Sequence, residues 1–390
     1  MKSNITIIAV LVFTFLHSLA NPIFSQTKPL VIGQSFSFHS NILNEDRMIM
    51  VSLPANYNNT EAKYPVLYLL DAETHFNYTA GLLQFLSTNN LMPETILIGI
   101  TNTDRNRDFT PVNLVTVPNS GGADKFLTFL EQELIPHIEK NYATVPFRTL
   151  VGHSLCGMFS FYTLITNPQL FNSAIAISPW LIHNNNFMID FSKKHFANIT
   201  SLNKTVYFTA GSLGQPDLLK TIEEFTEILD ETAPQDFHWK YTLMQNEDHG
   251  SQVLTAIYEG LKFIYDGWPY PQDKLDKGLD AILNHYKKLS EKYGYKISPS
   301  EALLNQAGYF FLQKKLIDDA ISIFIKNVEL YPHSPNVYDS LGEAYENNND
   351  LPNAKKNYDL GYTLANAVNN PNKGIYKANL DRVLEKLNMK

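Results

Sequence analysis

Cysteine is almost absent from this 390-residue chain, which contains a single one, Cys156. No internal disulfide can form, so the fold has to be held by a hydrophobic core, and 44% apolar residues are ample for that. Glycine (18) and proline (20) are ordinary in number, which excludes a collagen-like or low-complexity chain. The composition predicts a folded protein of two or three domains.

Positive charge is also scarce in the front part of the chain. The net charge is −8, of which residues 1–270 carry −9 and residues 271–390 carry +1. This acidic front part argues against nucleic acid as a partner, because phosphate binding needs clustered cations. A Walker lysine, a G-x-G-x-x-G turn and Cys/His metal-ligand spacing are missing too, so we predict neither a metal nor a cofactor.

Only one long apolar run occurs, at residues 5–16, with Lys2 before it and the small residues Ala20 and Ser25 after it. This arrangement predicts a secretory signal peptide over residues 1–26. An uncleaved anchor helix is the alternative, although the run is shorter than the ~20 residues of a bilayer span. We therefore expect an exported, periplasmic or extracellular protein with no membrane span in its mature chain.

From there to about residue 270, β-rich runs alternate with helical stretches. The predicted strands are 31–38, 48–53, 65–70, 95–100, 148–151, 173–177, 206–209 and 237–243, and the predicted helices are 77–87, 123–140, 155–166, 218–230 and 252–265. Such alternation is typical of the α/β class, with a mostly parallel sheet covered by helices on both faces. An antiparallel hairpin leads into it. We predict one α/β domain over 27–270, with its chemistry at the carboxyl ends of the strands.

A nucleophile pattern lies at one strand end. Gly152-His153-Ser154-Leu155-Cys156-Gly157 runs from a strand through a tight turn into an apolar helix. A G-x-S-x-G turn exposes its serine at a strained strand-to-helix elbow. Ser154 is therefore the predicted nucleophile, and an ordinary turn serine is the alternative. Cys156 stands where the second glycine of the pattern belongs.

A serine nucleophile needs a base, and His249 is the candidate because it follows the last predicted strand through the loop 244–248. Asp217, which follows the strand 206–209, is the candidate acid, and a helix N-cap is its alternative role. The order Ser154, Asp217, His249 is that of α/β-hydrolases. Glu247, Asp248 and Glu223 are fallback acids, and a Ser–His dyad stays open. His153 is interpreted as structural.

The oxyanion hole of such a site needs two backbone N–H groups. One is predicted at Leu155, directly after the nucleophile. The other is predicted at Ala72 or Glu73, in the turn that follows the strand 65–70.

Four segments together carry a resemblance to a known family. PVLYLLD (65–71), GITNTDRNRDFTP (99–111), GHS (152–154) and DHGS (248–251) resemble the putative-esterase family, an α/β-hydrolase branch related to esterase D that includes feruloyl esterases, ferric-siderophore esterases and mycolyltransferases. The resemblance covers about residues 30–265 and implies Ser154 as nucleophile, His249 as base and the turn after Leu70 as part of the oxyanion hole. Asp217 stands six residues after Gly211, as the acid does in mycolyltransferase-type relatives, whereas siderophore-esterase relatives often work with a weak or absent acid. Cys156 departs from the family's glycine.

Two arginines, Arg105 and Arg107, follow the strand 95–100 on the same sheet edge. They could clamp a substrate carboxylate or another anion. The alternative is a salt-bridged loop, because Asp104 and Asp108 alternate with them.

Residues 271–390 contain a repeat. Gly308 and Gly342 are 34 residues apart, as are Phe324 and Tyr358, and the pattern around them resembles two tetratricopeptide (TPR) units at 301–334 and 335–368. We predict a separate helical TPR-like domain over 271–390. It could bind a peptide or protein partner, whereas an appendage that serves packing or homodimer formation is the favoured alternative, because three repeats are the usual minimum for independent stability.

Two functions follow. The first is an exported serine carboxylic-ester hydrolase that forms an acyl-enzyme on a small-molecule ester such as a siderophore lactone, a feruloyl ester or an acetyl ester. The alternative is an inert hydrolase-fold protein that acts through TPR-mediated interaction, for which the substitution at Cys156 is the best support.

Overall fold

The computed structural model describes residues 30–55, 57 and 62–389, so the predicted signal peptide (1–26) lies outside the described residues. Eight strands form one sheet: β1 (Gln34–Ser40), β2 (Glu45–Ser52), β3 (Tyr64–Leu69), β4 (Ile96–Ile100), β5 (Thr144–His153), β6 (Ser173–Ile177), β7 (Lys204–Gly211) and β8 (Phe237–Met244). Their order is β1-β2-β4-β3-β5-β6-β7-β8. Pairing is antiparallel on both sides of β2 and parallel from β4 to β8, so the predicted hairpin leads into a parallel sheet.

Helices cover both faces of this sheet and continue beyond it. They are α1 (Ala72–Thr88), α2 (Arg105–Phe109), α3 (Ala123–Phe129), a π-helical turn (Leu130–Leu134), α4 (Ile135–Asn141), α5 (Leu155–Thr166), α6 (Phe187–Phe196), α7 (Pro216–Thr232) and α8 (Val253–Ile264). After a 3₁₀ turn (Gln272–Lys277) come α9 (Gly278–Tyr293), α10 (Glu301–Gln313), α11 (Ile317–Leu330), α12 (Pro335–Asn347), α13 (Leu351–Ala367) and α14 (Lys373–Asn388). The predicted fold class, a mostly parallel α/β sheet with a helical C-terminal region, is confirmed.

The central strands are apolar throughout because both of their faces are buried. Every residue of β3 is buried, with Val66 and Tyr68 in the core on one side of the sheet and Leu67 and Leu69 in the core on the other. This alternation is the two-residue period of a strand applied to two hydrophobic layers at once. The continuous apolar run in the sequence therefore indicates a strand that is covered by a hydrophobic core on both faces.

The first helix begins earlier than the sequence predicts, at Ala72 instead of residue 77. Asp71 precedes it in the left-handed conformation (φ 52°), which turns the chain from β3 directly into the helix. Ala72 and Glu73 therefore belong to a first helical turn and not to a loop. The helix α6 was not predicted from the sequence either.

Two helical hairpins, α10–α11 and α12–α13, correspond to the predicted repeat. A Cβ on Gly308 would lie 2.5 Å from the ring of Phe324, and one on Gly342 would lie 2.7 Å from the ring of Tyr358. Each glycine thus leaves room for the aromatic ring that stands sixteen residues later on the partner helix. The 34-residue spacing recurs because each hairpin packs an aromatic ring of its second helix against a glycine of its first helix.

The helical region shares a hydrophobic core with one face of the sheet. The ring of Phe147, on β5, lies 5.3 Å from that of Tyr293 and 5.9 Å from that of Tyr265, and Trp268 packs against both tyrosines. The Tyr293 hydroxyl also donates to the backbone oxygen of Ile264 at 3.1 Å. These contacts join the two parts across the predicted boundary near residue 270. Among the residues described, no helix is both long and apolar enough to cross a bilayer.

Candidate active site

Ser154 stands between β5 and α5 in a conformation that L-residues rarely adopt (φ 62°, ψ −117°). Its N–H donates to the backbone oxygen of Ile177 at 2.9 Å, and its own backbone oxygen accepts from the N–H groups of Met158 and Trp180, both at 3.0 Å. These three bonds hold the turn in place against its backbone strain. Strain of this kind is concentrated at functional sites.

The close backbone approaches at this elbow fall on Gly152 and Gly157. A Cβ on Gly152 would lie 2.3 Å from the oxygen of Cys156, and one on Gly157 would lie 3.1 Å from the oxygen of Ile177. The side chain of Cys156 is accommodated differently. Its thiol is buried and donates to the Asp71 carboxylate at 3.2 Å. The departure from G-x-S-x-G therefore leaves the elbow intact, and burial raises the pKa of the thiol well above its usual value.

The loop that carries His249 is held against the end of β7. A Cβ on Gly211 would lie 2.4 Å from the oxygen of Glu247 and 2.5 Å from that of Asp248, so only glycine lets this loop pass so close. The N–H of Leu213 donates to the oxygen of Glu247 at 2.9 Å. His249 is thus placed by backbone contacts with the neighbouring strand end.

His249 reaches the neighbourhood of the elbow serine. Its backbone oxygen accepts a hydrogen bond from Nε2 of His153 at 2.8 Å, and the two imidazole rings lie 4.6 Å apart. Its Nδ1 lies 2.8 Å from Oγ of Ser178. Burial, followed by the charges of His153 and Arg105, lowers the pKa of His249 to about 4. The imidazole is therefore neutral near pH 7, as a general base has to be.

The structure does not bring Asp217 to His249. Asp217 is exposed in the first turn of α7, and it is not the N-cap that the alternative predicted, because Gln215 occupies that position. Two of the fallback acids are engaged elsewhere: Asp248 accepts from the N–H groups of Ser251 and Gly250, at 2.7 and 2.8 Å, and Glu247 accepts from the Ser251 hydroxyl. The third, Glu223, is exposed on α7. No carboxylate bonds to the His249 ring among the residues described.

The predicted oxyanion donors lie at two helix starts. Leu155 is the first residue of α5, and Ala72 and Glu73 are the first two of α1. The first N–H groups of a helix have no acceptor within that helix and carry partial positive charge, which suits a developing alkoxide. The local structure differs from the prediction in one respect: Ala72 and Glu73 lie in a helix, whereas the sequence predicted a turn.

Arg105 connects these two helix starts. It donates through Nε and Nη2 to the carboxylate of Asp71, at 2.9 and 3.0 Å, and through Nη2 to the backbone oxygen of His153 at 3.0 Å. Burial by itself would raise the pKa of Asp71, but the hydrogen bond and charge of Arg105, with the hydrogen bonds from Asn102 and Cys156, together outweigh it and lower the pKa. Arg105 is still 34% exposed. Arg105 therefore links the start of α1, where two of the predicted oxyanion donors lie, to the elbow that carries Ser154.

Arg107 has a structural environment of a different kind. It donates to both carboxylate oxygens of Glu45, each at 2.8 Å, and to Asp108 at 2.7 Å. The buried Arg47 bonds to the same two acids. For Arg107 the geometry is that of the salt-bridged loop, and its anion-clamp role stays a prediction.

One group of side chains could hold a metal ion by its composition. Ligand atoms of Asp71, His75 and His153 lie within 4.8 Å of one another. However, both oxygens of Asp71 already accept hydrogen bonds from Arg105, whose positive charge disfavours a cation there. His75 bonds to the Tyr78 hydroxyl and His153 to the backbone oxygen of His249, and the group carries no metal assignment.

The sequence reasoning missed Ser178 and the role of Asp71. Both come just after a buried strand, β6 and β3, and both have positive φ (43° and 52°). A polar residue at the carboxyl end of a strand beside the nucleophile strand is the signal that could have indicated them. Ser178 has the further mark of preceding Pro179.

The sheet order, the strained serine at the end of β5 and the histidine after β8 define an α/β-hydrolase. The family model described as Putative esterase matches residues 40–253, more than half of the chain, and the chain belongs to this family. It is a carboxylic ester hydrolase.

Two curated relatives match this chain along most of their own length. Ferri-bacillibactin esterase BesA of Bacillus subtilis is 28% identical over 252 residues, 56% of this chain and 86% of the relative. The siderophore triacetylfusarinine C esterase of Aspergillus fumigatus is 22% identical over 63% of this chain and 97% of its own. The solved structure of an IroE-like serine hydrolase from Shewanella oneidensis superposes with a TM-score of 0.69 at 26% identity, over 76% of this chain and 99% of that one.

Proposed function

We propose that this esterase works through a serine nucleophile, with Ser154 attacking the ester carbonyl and His249 as the general base. The observation that carries the proposal is the strained backbone of Ser154 (φ 62°) at the start of α5, whose neighbour His153 donates to the backbone oxygen of the neutral, half-buried His249 at 2.8 Å. A strained backbone at this turn costs about 1–3 kcal/mol, which indicates a functional role for the serine. Asp217, the predicted third member, is exposed and not bonded to His249, so we propose a Ser154–His249 pair that works without it, and the Asp217→Asn variant tests this.

The chemistry follows from these positions. Nε2 of His249 takes the proton of Ser154 Oγ as the Oγ–C bond forms, and then gives it to the alkoxide that leaves. The N–H groups of Leu155 and of Ala72 or Glu73 stabilise the negative oxygen of the tetrahedral intermediate. Water, deprotonated by the same Nε2, then attacks the acyl-enzyme. The acyl–Oγ bond breaks, Nε2 returns the proton to Oγ, and the acid and free Ser154 are released.

The proposed substrates are siderophore lactones, with feruloyl and acetyl esters as alternatives. The names of the two curated relatives, both siderophore esterases, support the first class. The acidic front part of the chain disfavours an anionic substrate, so recognition of one would need local positive charge. The exposed third of Arg105, next to the elbow, is the candidate for that charge.

The serine mechanism can be tested with p-nitrophenyl acetate and butyrate and with a fluorophosphonate probe. Wild type should hydrolyse the esters and be labelled once, on Ser154, and Ser154→Ala should lose both properties. Ser173→Ala is the matched control, because Ser173 is a buried serine that bonds to Thr149 at the far end of β6. Hydrolysis that survives in Ser154→Ala at the wild-type rate would refute the proposal.

Substrate class needs a separate measurement. Kinetics on ferric and iron-free catecholate and hydroxamate siderophores, beside methyl ferulate and acetylated xylose, should give the highest kcat/KM with a siderophore. A higher value for the ferulate or the acetylated sugar would assign the enzyme to that class instead.

Export is the remaining part of the proposal, and its support is the apolar run 5–16 with its flanking residues. N-terminal sequencing of the protein recovered from the periplasmic or culture fraction should find a chain that begins near residue 21 or 27. Recovery of an uncleaved chain from the membrane fraction would favour the anchor.

The shared core around Phe147 supports the packing role for the helical region, and we propose no partner for it.

A further inference from the structure

Ser178 occupies an unusual position for a residue with no assigned role. It follows β6 directly, its side chain is buried (2% exposed), and its φ is +43°. Its N–H donates to the backbone oxygen of Thr209 on β7 at 2.9 Å, and Pro179 comes next in the chain. A non-glycine residue held at positive φ in this way carries a cost in backbone strain. A serine kept there against that cost calls for a reason in its side chain.

The reason lies in the contact of its hydroxyl. Oγ of Ser178 is 2.8 Å from Nδ1 of His249. In sites of this type Nδ1 of the histidine is normally held by a carboxylate, which fixes both the tautomer and the ring orientation. Here Asp217 is exposed and Asp248 bonds to backbone N–H groups, so the serine hydroxyl occupies the place of that carboxylate.

We propose that Ser178 is a positioning residue that keeps the His249 proton on Nδ1 and leaves Nε2 free as the base. The proposal rests on the Ser154–His249 mechanism above. Nε2 can accept the Ser154 proton only if Nδ1 carries the ring proton, and a hydroxyl oxygen can accept the Nδ1–H bond. The same bond orients the ring, because Nδ1 lies within hydrogen-bond reach of a group fixed to β6.

A neutral partner has a consequence that a carboxylate would not have. The other charged or titratable groups around His249 are His153 and Arg105, which disfavour a second positive charge, and Asp248, which favours it weakly. Ser178 adds no negative charge to this set. The imidazolium formed during the reaction is therefore less stabilised than in a triad, and the base works at lower pH.

The test uses three substitutions at one position. Ser178→Ala leaves a non-glycine residue at the same positive φ and removes the hydroxyl that accepts the Nδ1–H bond. It should lower kcat by about tenfold with KM unchanged, which corresponds to the loss of one hydrogen bond. Ser178→Asn, which tolerates positive φ and offers an amide oxygen, should recover most of that loss. Ser178→Asp should raise the pKa of His249 and move the acid limb of kcat/KM up by roughly 1–3 pH units. Ser173→Ala again serves as the control for loss of a buried serine on β6.

A spectroscopic measurement separates the proposal from activity. Nitrogen-15 histidine NMR of wild type, with the His249 signal assigned from a His249→Gln variant, should show a neutral ring protonated on Nδ1. In Ser178→Ala the two tautomers should mix. A wild-type ring protonated on Nε2, or a Ser178→Ala enzyme with wild-type kcat, acid limb and tautomer, would overturn the role of Ser178.

The two proposals fail in different ways. If wild type is not labelled on Ser154, the serine mechanism falls, and the role of Ser178 falls with it. If Ser154→Ala abolishes the labelling and hydrolysis seen in wild type while Ser178→Ala changes nothing, the mechanism stands and the positioning role alone is refuted.

Discussion

Replacing Gly211 by alanine should displace the loop that carries His249, the proposed base. The added Cβ would lie 2.4 Å from the oxygen of Glu247 and 2.5 Å from that of Asp248, whereas ordinary contact begins at 3.4 Å, so the loop has to move by about 1 Å. Both contacts are with backbone, which cannot rotate away as a side chain can. His249 follows immediately in the chain, and a shift of this size costs about 100-fold in rate.

Stability should fall as well, because the shift strains the bond from the N–H of Leu213 to the oxygen of Glu247. Overpacking of this kind costs ~1–3 kcal/mol. We expect kcat/KM on p-nitrophenyl butyrate to drop about 100-fold, fluorophosphonate labelling of Ser154 to slow in parallel, and Tm to fall by several degrees.

Gly81→Ala is the matched control for this substitution. Gly81 lies inside α1, and a Cβ added to it would meet no heavy atom within 4 Å, so alanine there should raise the free energy of unfolding by ~0.5–1 kcal/mol and leave kcat/KM unchanged. A Gly211→Ala variant that retains kcat/KM within threefold of wild type would contradict this prediction, because it would show that the loop accommodates the added methyl group without moving His249.

Three other measurements address the base, the predicted acid and the helical region. With the neutral ring of His249 as the proposed base and its pKa lowered to about 4, kcat/KM should fall as the pH drops through about 4; an acid limb near the ordinary 6.5 of histidine would contradict the described environment. Asp217→Asn should leave kcat on p-nitrophenyl esters within about threefold of wild type, since the side chain is exposed and not bonded to the base, and a loss of 100-fold or more would restore the triad. Gly308→Ala should cost ~1–3 kcal/mol in the free energy of unfolding, measured by urea titration, because its Cβ would meet the Phe324 ring at 2.5 Å, while kcat below the unfolding transition stays unchanged; unaltered stability would show that the ring can move aside.

The local features of the chain could be predicted because each depends on a short run of sequence. Alternating apolar runs and helical periods predicted the α/β class, and Gly152-His153-Ser154 between a strand and a helix pointed to the elbow. The spacing of Gly308 and Gly342 predicted the helical hairpins, since a ring on the second helix requires a missing side chain on the first. The start of α1 at Ala72 was not predicted, because it depends on the left-handed Asp71 and its bonds to Arg105 and Asn102.

By itself the sequence determined which residue types stand at each strand end, and hence the hydrolase class and its candidate nucleophile and base. Only the tertiary structure decided what bonds to the base. Asp217 and Ser178 both follow strands and are both polar, so no pattern along the chain ranks one above the other. Side-by-side pairing of β5, β6 and β7 places Ser178 within 2.8 Å of His249 and leaves Asp217 on the surface, because contacts between neighbouring strands link residues that are distant in sequence.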